Sequence, residues 1–390
     1  MSRTPDRRVA DGRARARGFS LVEIMVALLI SAIVLLTVFF VFITNTEQYY
    51  RQEQVVQMQE RMRFAMEYLK NDLRNAGRLT MVNGNLVVGP QQVQGVKAVQ
   101  ALELFEEDVA PGNLGQNGNG LRPDRLRILV DASGGVPLGV TSVSPDRVTV
   151  SPELQQRGAA AKQLVAAGAR ERFEALFADG SYVYLLHPPS GRYSMVPVRS
   201  STFQDAGPTI EITEDSLMGA TCGAGECMVN PVQIIEYRVA VDPDDAQRTN
   251  LYRRPIHAVT EQPMDPAVII AEYVVDMQLW GTYDIGVPGL PQIPADPNPT
   301  DTQGNWPAGT ESARLNQSPH RVRAMNVLLA VRTPREDKSF VAAPGRAVAA
   351  DQRVAADRTW FDVLPGDDTG LARVSTLVSE VETPNLNRGI

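Results

Sequence analysis

One long apolar segment constrains this 390-residue chain more than any other feature of its sequence. From residue 19 to residue 43, 21 of the 25 residues are apolar, and the exceptions are Ser20, Glu23, Ser31 and Thr37. As a helix the segment is about 38 Å long, which is enough to cross a bilayer core of about 30 Å. No second run of this length follows. The sequence therefore predicts at most one membrane span and excludes a multi-span transporter.

The charges beside this segment predict its orientation. The first 17 residues hold six arginines and two aspartates, a net charge of +4, whereas the whole chain carries −7, so the remainder carries −11. Short Arg-rich ends stay in the cytoplasm, so we expect a cytoplasmic N-terminus and an extracytoplasmic remainder. A body this acidic is a poor candidate for binding nucleic acid.

Glu23 distinguishes between three interpretations of the N-terminus. A secretory signal peptide has a shorter apolar region, of about 7–15 residues, and a small-residue cleavage site that is missing after residue 43. A plain signal anchor leaves unexplained a carboxylate inside the run, which costs up to about 2.5–3.5 kcal/mol at the bilayer centre. A cut between Gly18 and Phe19 would create an α-amino group four residues before Glu23, positive at neutral pH and able to neutralise it.

The residues around this position resemble a known signal. Residues 17–28, Arg-Gly-Phe-Ser-Leu-Val-Glu-Ile-Met-Val-Ala-Leu, are similar to the class III signal of type IV prepilins and pseudopilins, and the likeness extends over 13–43. The resemblance implies that prepilin peptidase removes residues 1–18, that the Phe19 amine is methylated, and that the apolar helix is the core of a filament. It also implies that Glu23 pairs with the N-terminal amine of a neighbouring subunit. Many major pilins have a proline at the position of Phe40, so the helix here has less reason to kink.

The helix is expected to continue beyond the membrane as far as Gly77, a residue type that commonly ends helices. Apolar residues recur at spacings of three and four and so share one helix face, which we expect to pack on the protein's own sheet, with a docking surface for other subunits as the alternative. They are Val55, Met58, Met62, Ala65, Leu69, Leu73 and Ala76.

The rest of the chain is expected to form a mainly β head. Alternating apolar and polar residues predict strands at 125–130, 147–150, 182–186, 232–241, 268–283 and 322–331. Residues 152–178 favour a helix, and 284–320 and 334–370 favour loops. The predicted fold class is α+β, a type IV pilin-like lollipop with a long N-terminal helix packed on a mainly antiparallel β head with large insertions. Its parts are a leader peptide (1–18), the helix (19–77, with 19–43 transmembrane) and a periplasmic or extracellular head (78–390).

Three parts of the chain are similar to PilW-type minor pilins: residues 63–64 followed by 71–77, then 273–284, and then 322–333. This resemblance implies a minor pilin that primes type IV pilus assembly or forms the pilus tip complex. The implied partners are other minor pilins, the major pilin, prepilin peptidase, the inner-membrane assembly platform and a tip adhesin. The chain would cross the inner membrane once, with its head in the periplasm before assembly and at the pilus or cell surface afterwards.

Two alternatives stay open. A type II secretion pseudopilin shares the leader and the lollipop shape. A signal-anchored extracytoplasmic enzyme or ligand-binding protein belongs to another class, and it predicts an uncleaved N-terminus. We expect no enzyme and no cofactor, because H-E-x-x-H, G-x-S-x-G, G-x-x-x-x-G-K-[ST] and G-x-G-x-x-G are all missing from the sequence.

Cys222 and Cys227 are the only cysteines, and both fall in the part expected to face an oxidising compartment. We expect a disulfide between them, with two free thiols as the alternative.

No metal site is expected, because a zinc site needs about four ligands and the three histidines, at 187, 257 and 320, are scattered singly. The acidic stretches 242–245 and 296–301 do not have the ligand spacing of a calcium loop and are expected to be solvated turns.

Overall fold

The computed structural model describes residues 20–77, 85–86, 99–106, 121–133, 137–151, 169–188, 192–204, 207–213, 222, 225–283, 311–317, 322–335, 360–361, 363 and 371–387. Within them the helices are α1 (Leu21–Asn75), α2 (Ala169–Leu176), α3 (Glu311–Gln317) and a short 3-10 helix (Pro384–Asn387). The strands are β1 (Asn85–Leu86), β2 (Val99–Gln100), β3 (Leu102–Phe105), β4 (Arg125–Asp131), β5 (Leu138–Ser144), β6 (Arg147–Val150), β7 (Tyr182–His187), β8 (Arg192–Thr202), β9 (Thr209–Ile212), β10 (Met228–Val241), β11 (Thr249–Ile256), β12 (Val268–Glu272), β13 (Val274–Tyr283), β14 (Val322–Arg332), β15 (Trp360–Phe361) and β16 (Ala372–Glu382). The chain divides into two compact units, Met1–Gln54 and Val55–Ile390.

Helix α1 is continuous through 55 residues, in agreement with the absence of a proline at position 40. Of the described helices, α1 is the one that is long and apolar enough to cross a bilayer. In the first unit its large apolar side chains, from Leu21 to Ile43, are all exposed. A helix that is apolar on every side suits a membrane span rather than exposure to water.

In the second unit α1 packs on the head through one face, as predicted. Its buried residues there are Met58, Met62, Ala65, Met66, Leu69 and Leu73, and Ala76, directly after the helix, is buried as well. They belong to one hydrophobic core with apolar residues of both sheets of the head, such as Ile128, Tyr237 and Leu279. Gly77 follows the helix at a φ of +72°, a left-handed conformation that glycine adopts without a Cβ clash, and its N–H donates to the Leu129 carbonyl.

The sheet beneath α1 is antiparallel, with strand order β3-β4-β10-β11-β12. Strand β10 is the centre of the head because its second half pairs with β4 on one side and β11 on the other; Ile235, for instance, lies opposite both Ile128 and Pro255. One face of this sheet carries the residues packed on α1, and the alternate residues point to the opposite face.

The first half of β10 pairs with other strands, and together they form a closed ring of six antiparallel strands. The ring runs β10-β5-β6-β9-β8-β7 and returns to β10. It encloses a second hydrophobic core, which includes the fully buried Phe173 of α2 and Phe177, the residue directly after α2. Strand β7 serves both cores, since Val183 faces the ring interior and Tyr182 the core under α1. We call this ring the barrel; it is built from the residues between β4 and the middle of β10.

A second sheet has strand order β13-β14-β16-β15. The chain enters it at Tyr273, the single residue between β12 and β13, which has a φ of +60°. This left-handed conformation is unusual for a large aromatic residue, and it turns the chain from one sheet into the other. The sequence predicted a single strand over 268–283, which was wrong because the alternating pattern continues through this turn.

The other strand predictions agree with β4, β6, β7, β10 and β14, although β10 begins at Met228 instead of residue 232. Within the predicted helix 152–178, residues 169–176 are helical as α2, and 152–168 lie outside the described residues. The expected loop at 284–320 contains α3, and 284–310 lie outside the described residues. Most of the loop predicted at 334–370 also lies outside them.

Candidate assembly site

Helix α1 begins with an N-terminal cap centred on Ser20. The N–H of Glu23 donates to the Ser20 Oγ at 3.2 Å, and the Ser20 carbonyl accepts from Glu23 and Ile24 at 3.0 and 3.2 Å. The sequence Ser-x-x-Glu is the pattern of a capping box, although only the serine half of it forms in this structure. Glu23 lies in the first helical turn, where a negative charge interacts favourably with the helix dipole.

Glu23 is exposed and surrounded by exposed apolar side chains of the same helix. The hydroxyl of Thr37 donates to the Ile33 carbonyl at 2.9 Å, and Thr44 does the same with Phe40. These bonds satisfy the polar groups within the helix, as an apolar environment requires. Glu23 is therefore the exposed charge of this apolar surface, because the other exceptions in the run, Ser20, Ser31 and Thr37, are neutral.

The last turn of α1 is fixed to the head by a charged contact, which we call the clasp. The Asp72 Oδ2 accepts from the Tyr237 hydroxyl at 2.7 Å and from the Arg253 Nε at 2.8 Å. Burial and then Asp72 raise the pKa of Tyr237, so its hydroxyl keeps its proton and remains a donor. The clasp joins α1 to β10 and β11 across the core.

A second contact joins α1 to the turn between the two sheets. The guanidinium of Arg61 lies 5.4 Å from the ring centroid of Tyr273 and 3.3 Å from a Glu272 oxygen. On β14, the guanidinium of Arg332 lies 4.9 Å from the same ring centroid, and Arg332 is almost fully buried. Two cations over one aromatic ring stabilise the left-handed turn at this residue.

The face of the main sheet opposite α1 carries a buried carboxylate with several cationic partners. Glu236 is 1% exposed and accepts hydrogen bonds from Arg125, Arg127 and Arg254 at 2.6–3.1 Å. Burial raises the pKa of Glu236, but the hydrogen bonds and charges of the arginines outweigh burial, and the pKa lies below its usual value. The ion pairs join β4, β10 and β11 on the face of the main sheet opposite the clasp.

Cys222 and Cys227 are joined as a disulfide, with 5.6 Å between their Cα atoms. Cys227 is buried in the barrel core, and its carbonyl accepts from Val140 on β5. The disulfide therefore lies where the chain enters β10 and the barrel closes.

Several other positions that were predicted from the sequence lie outside the described residues. Gly18 and Phe19 are outside the described residues, as are His320 and the acidic stretch 296–301. Asp242 is occupied as an acceptor from Arg248 and Asn250. No three side chains of the types that bind metals gather within the described part of the chain.

The comparisons bear on the segment that begins α1. Residues 13–39 match the prokaryotic N-terminal methylation motif. Among solved structures, a type IV-like pilin from Thermus thermophilus is similar, with 15% sequence identity and a TM-score of 0.21, over 60% of this chain and 100% of that one. A likeness this weak does not bear on the fold of the head, and no curated protein matches.

The apolar helix and the methylation motif suit a membrane-anchored pilin. The end of α1 shares one hydrophobic core with β13 and β14, which pair with each other. Sequence reasoning missed the cap at Ser20, which the Ser-x-x-Glu pattern could have indicated. It also missed Glu236, for which the only local signal is an acidic residue within an apolar strand.

Proposed function

We propose that this chain is a minor pilin of a type IV pilus. In this proposal, prepilin peptidase cuts between Gly18 and Phe19, the new Phe19 amine is methylated, and Glu23 pairs with the amine of a neighbouring subunit. The protein then helps to prime pilus assembly or forms part of the tip complex. Its role is structural, so the energy for assembly comes from other proteins.

The methylation motif at 13–39 carries this proposal. The start of α1 is compatible with cleavage and methylation at Phe19. The helix starts with Ser20 as its cap, and a cut after Gly18 leaves Phe19 directly before that cap. The exposed carboxylate of Glu23 needs a cation in an apolar environment, and a neighbouring α-amino group supplies one.

The proposed surroundings follow from this role. The chain crosses the inner membrane once, with its head in the periplasm, and moves to the pilus or cell surface on assembly. Its partners are other minor pilins, the major pilin, the assembly platform and a tip adhesin. The PilW-type resemblance favours a minor over a major pilin, and the barrel adds to the head a bulk that a densely repeated shaft subunit would have to accommodate.

Intact mass and N-terminal sequencing of the protein extracted from membranes of its native host test the processing. We expect a chain that starts at Phe19 and carries one additional methyl group. A chain that still starts near Met1 would refute the proposal and favour a signal-anchored protein of another class.

Substitution of Glu23 tests assembly separately from processing. Glu23→Gln removes the charge with little change in shape, and we expect the variant to be cleaved and stable but absent from sheared pili. The matched control is Glu47→Gln on the same helix, an exposed carboxylate beyond the apolar run, which we expect to assemble normally. Normal assembly of Glu23→Gln would contradict amine pairing.

Deletion of the whole chain separates the two kinds of filament system. We expect lost or sparse pili with secretion intact. Lost secretion with intact pili would instead assign the chain to type II secretion as a pseudopilin.

A further inference from the structure

The outer edge of β13 is closed by two acidic residues instead of another strand. Asp124, just before β4, donates its N–H to the Met277 carbonyl at 2.7 Å and accepts the Leu279 N–H on Oδ2 at 2.8 Å. Two residues further along, the Gly281 N–H donates to the Glu311 Oε1 at 2.6 Å. These bonds satisfy edge groups that would otherwise be open to pairing. They also join the second sheet to the segment that leads into the main sheet.

The carboxylates at this edge are buried close to one another. Asp124 is 6% exposed, Asp276 is fully buried, and Glu311 is 5% exposed. The Oε2 of Glu311 is buried and has no hydrogen-bond partner within the described residues. The charged and titratable groups that act on this cluster come from every element around it: Asp276 and Tyr283 on β13, Glu311 and Arg314 on α3, and Glu106 after β3. Acids outnumber cations in this set. The junction between Asp124 and the edge of β13 is therefore most stable when one of these acids is protonated.

We propose that Asp124 is a proton-dependent latch that fixes the edge of β13 to the entry of β4 and releases it as the proton leaves. The latch opens locally: the 121–124 segment moves into water, where Asp124 can ionise, and the Leu279 N–H and the Met277 carbonyl lose their partners. The junction is distinct from the N-terminal motif, so it can be tested whatever assembly system the chain serves.

The electrostatics give the sign of the effect. Burial, and then the nearby Asp276, Glu106 and Glu311, raise the pKa of Asp124 to about 8 in spite of its bond from Leu279. In the open segment Asp124 titrates near its ordinary pKa of about 3.9. Because the closed form binds the proton more tightly, its stability is fully present below pH 4 and falls as pH rises to about 8. Above that pH both forms are ionised and the effect is complete.

Hydrogen exchange measured by mass spectrometry on the full chain in detergent micelles tests the latch. Peptides covering β13 are compared with peptides covering β10 and β11 from pH 5 to 9.5, after correction for the intrinsic pH dependence of exchange. In the wild type we expect β13 protection to fall about tenfold per pH unit up to about pH 8 and then to level off. Protection of β10 and β11 should stay flat over the same range.

Two variants make the test specific. Asp124→Asn keeps an oxygen acceptor for Leu279 but cannot ionise, so its β13 protection should depend less steeply on pH than in the wild type and should be higher than wild type at pH 8. Burial also raises the pKa of Glu311, the partner of Gly281, so a shallower slope can remain. Asp244→Asn makes the same change in an exposed turn and should reproduce the wild-type profile. A flat wild-type profile, a slope in Asp124→Asn as steep as in the wild type, or an equal slope in β10 and β11 would each overturn the proposal. The wild-type profile alone decides if Asp124→Asn fails to fold.

Discussion

Replacing Glu236 with glutamine isolates the contribution of one buried charge to the head. The substitution preserves size and one hydrogen-bond acceptor while removing the negative charge shared by Arg125, Arg127 and Arg254. Loss of one partner from a buried ion pair costs about 3–5 kcal/mol, because the remaining charge is left uncompensated. The three arginine side chains are still 11–23% exposed and can recover some hydration, so we expect about 3 kcal/mol.

The assay is guanidinium unfolding of the full chain in detergent micelles, with the free energies of unfolding compared at several pH values. The pKa of Glu236 is lowered in the folded state, so its contribution is present above the unfolded pKa of about 4.3 and is lost as pH falls through the folded pKa. The difference between wild type and Glu236→Gln should thus be constant from pH 6 to 8 and shrink in acid below pH 4.

Glu211→Gln is the matched control, because Glu211 pairs with Arg147 at 3.5 Å but both side chains are about half exposed. We expect that control to change stability by no more than about 1 kcal/mol. An effect of Glu236→Gln as small as the control, or one that is equal at pH 3 and pH 7, would refute the reasoning.

Three further outcomes follow from the same structure. Leu69→Ala, at a fully buried position of α1, should cost about 3–5 kcal/mol in guanidinium unfolding, whereas Val56→Ala on the exposed face should cost little. Asp72→Asn weakens the clasp and should cost about 1.5–3 kcal/mol by the same measurement, since two donors lose a charged acceptor. Reducing the disulfide between Cys222 and Cys227 should lower the free energy of unfolding by about 2 kcal/mol, compared with a mock-treated sample; no change would mean that the barrel closes without it.

Features that depend on local pattern could be predicted from the sequence. The long apolar helix follows from a continuous apolar run, and the buried face of α1 and strands such as β4 and β14 follow from apolar residues at periods of 3.6 or 2. These patterns hold whatever the rest of the chain does. The hypothesis about Glu23 also rests on a local feature, because a carboxylate in an apolar run is anomalous within a window of a few residues, and its role in assembly stays a prediction.

Features that depend on distant partners could not be predicted in this way. The barrel closes through pairs such as Val148 with Ile210, and no local pattern specifies which strands meet. Glu236 gains its partners from β4 and β11, of which β4 lies more than a hundred residues away. The turn at Tyr273 could not be predicted because tyrosine is a residue type that favours strands. Its left-handed conformation is stabilised by contacts with Arg61 and Arg332, which are distant in sequence.

The barrel has a consequence for the order in which the head folds. Asp131 and Val232 pair in the main sheet although they are about a hundred residues apart in sequence. Once the barrel has formed, the effective loop between them is only a few residues long, which reduces the entropy cost of closure by about 2.5 kcal/mol. We therefore expect the barrel to become structured first and to serve as the nucleus on which β4 and β10 pair. Pulse-labelled hydrogen exchange during refolding should show protection in β5 to β9 before β4, and the reverse order would mean that α1 and the main sheet start the process.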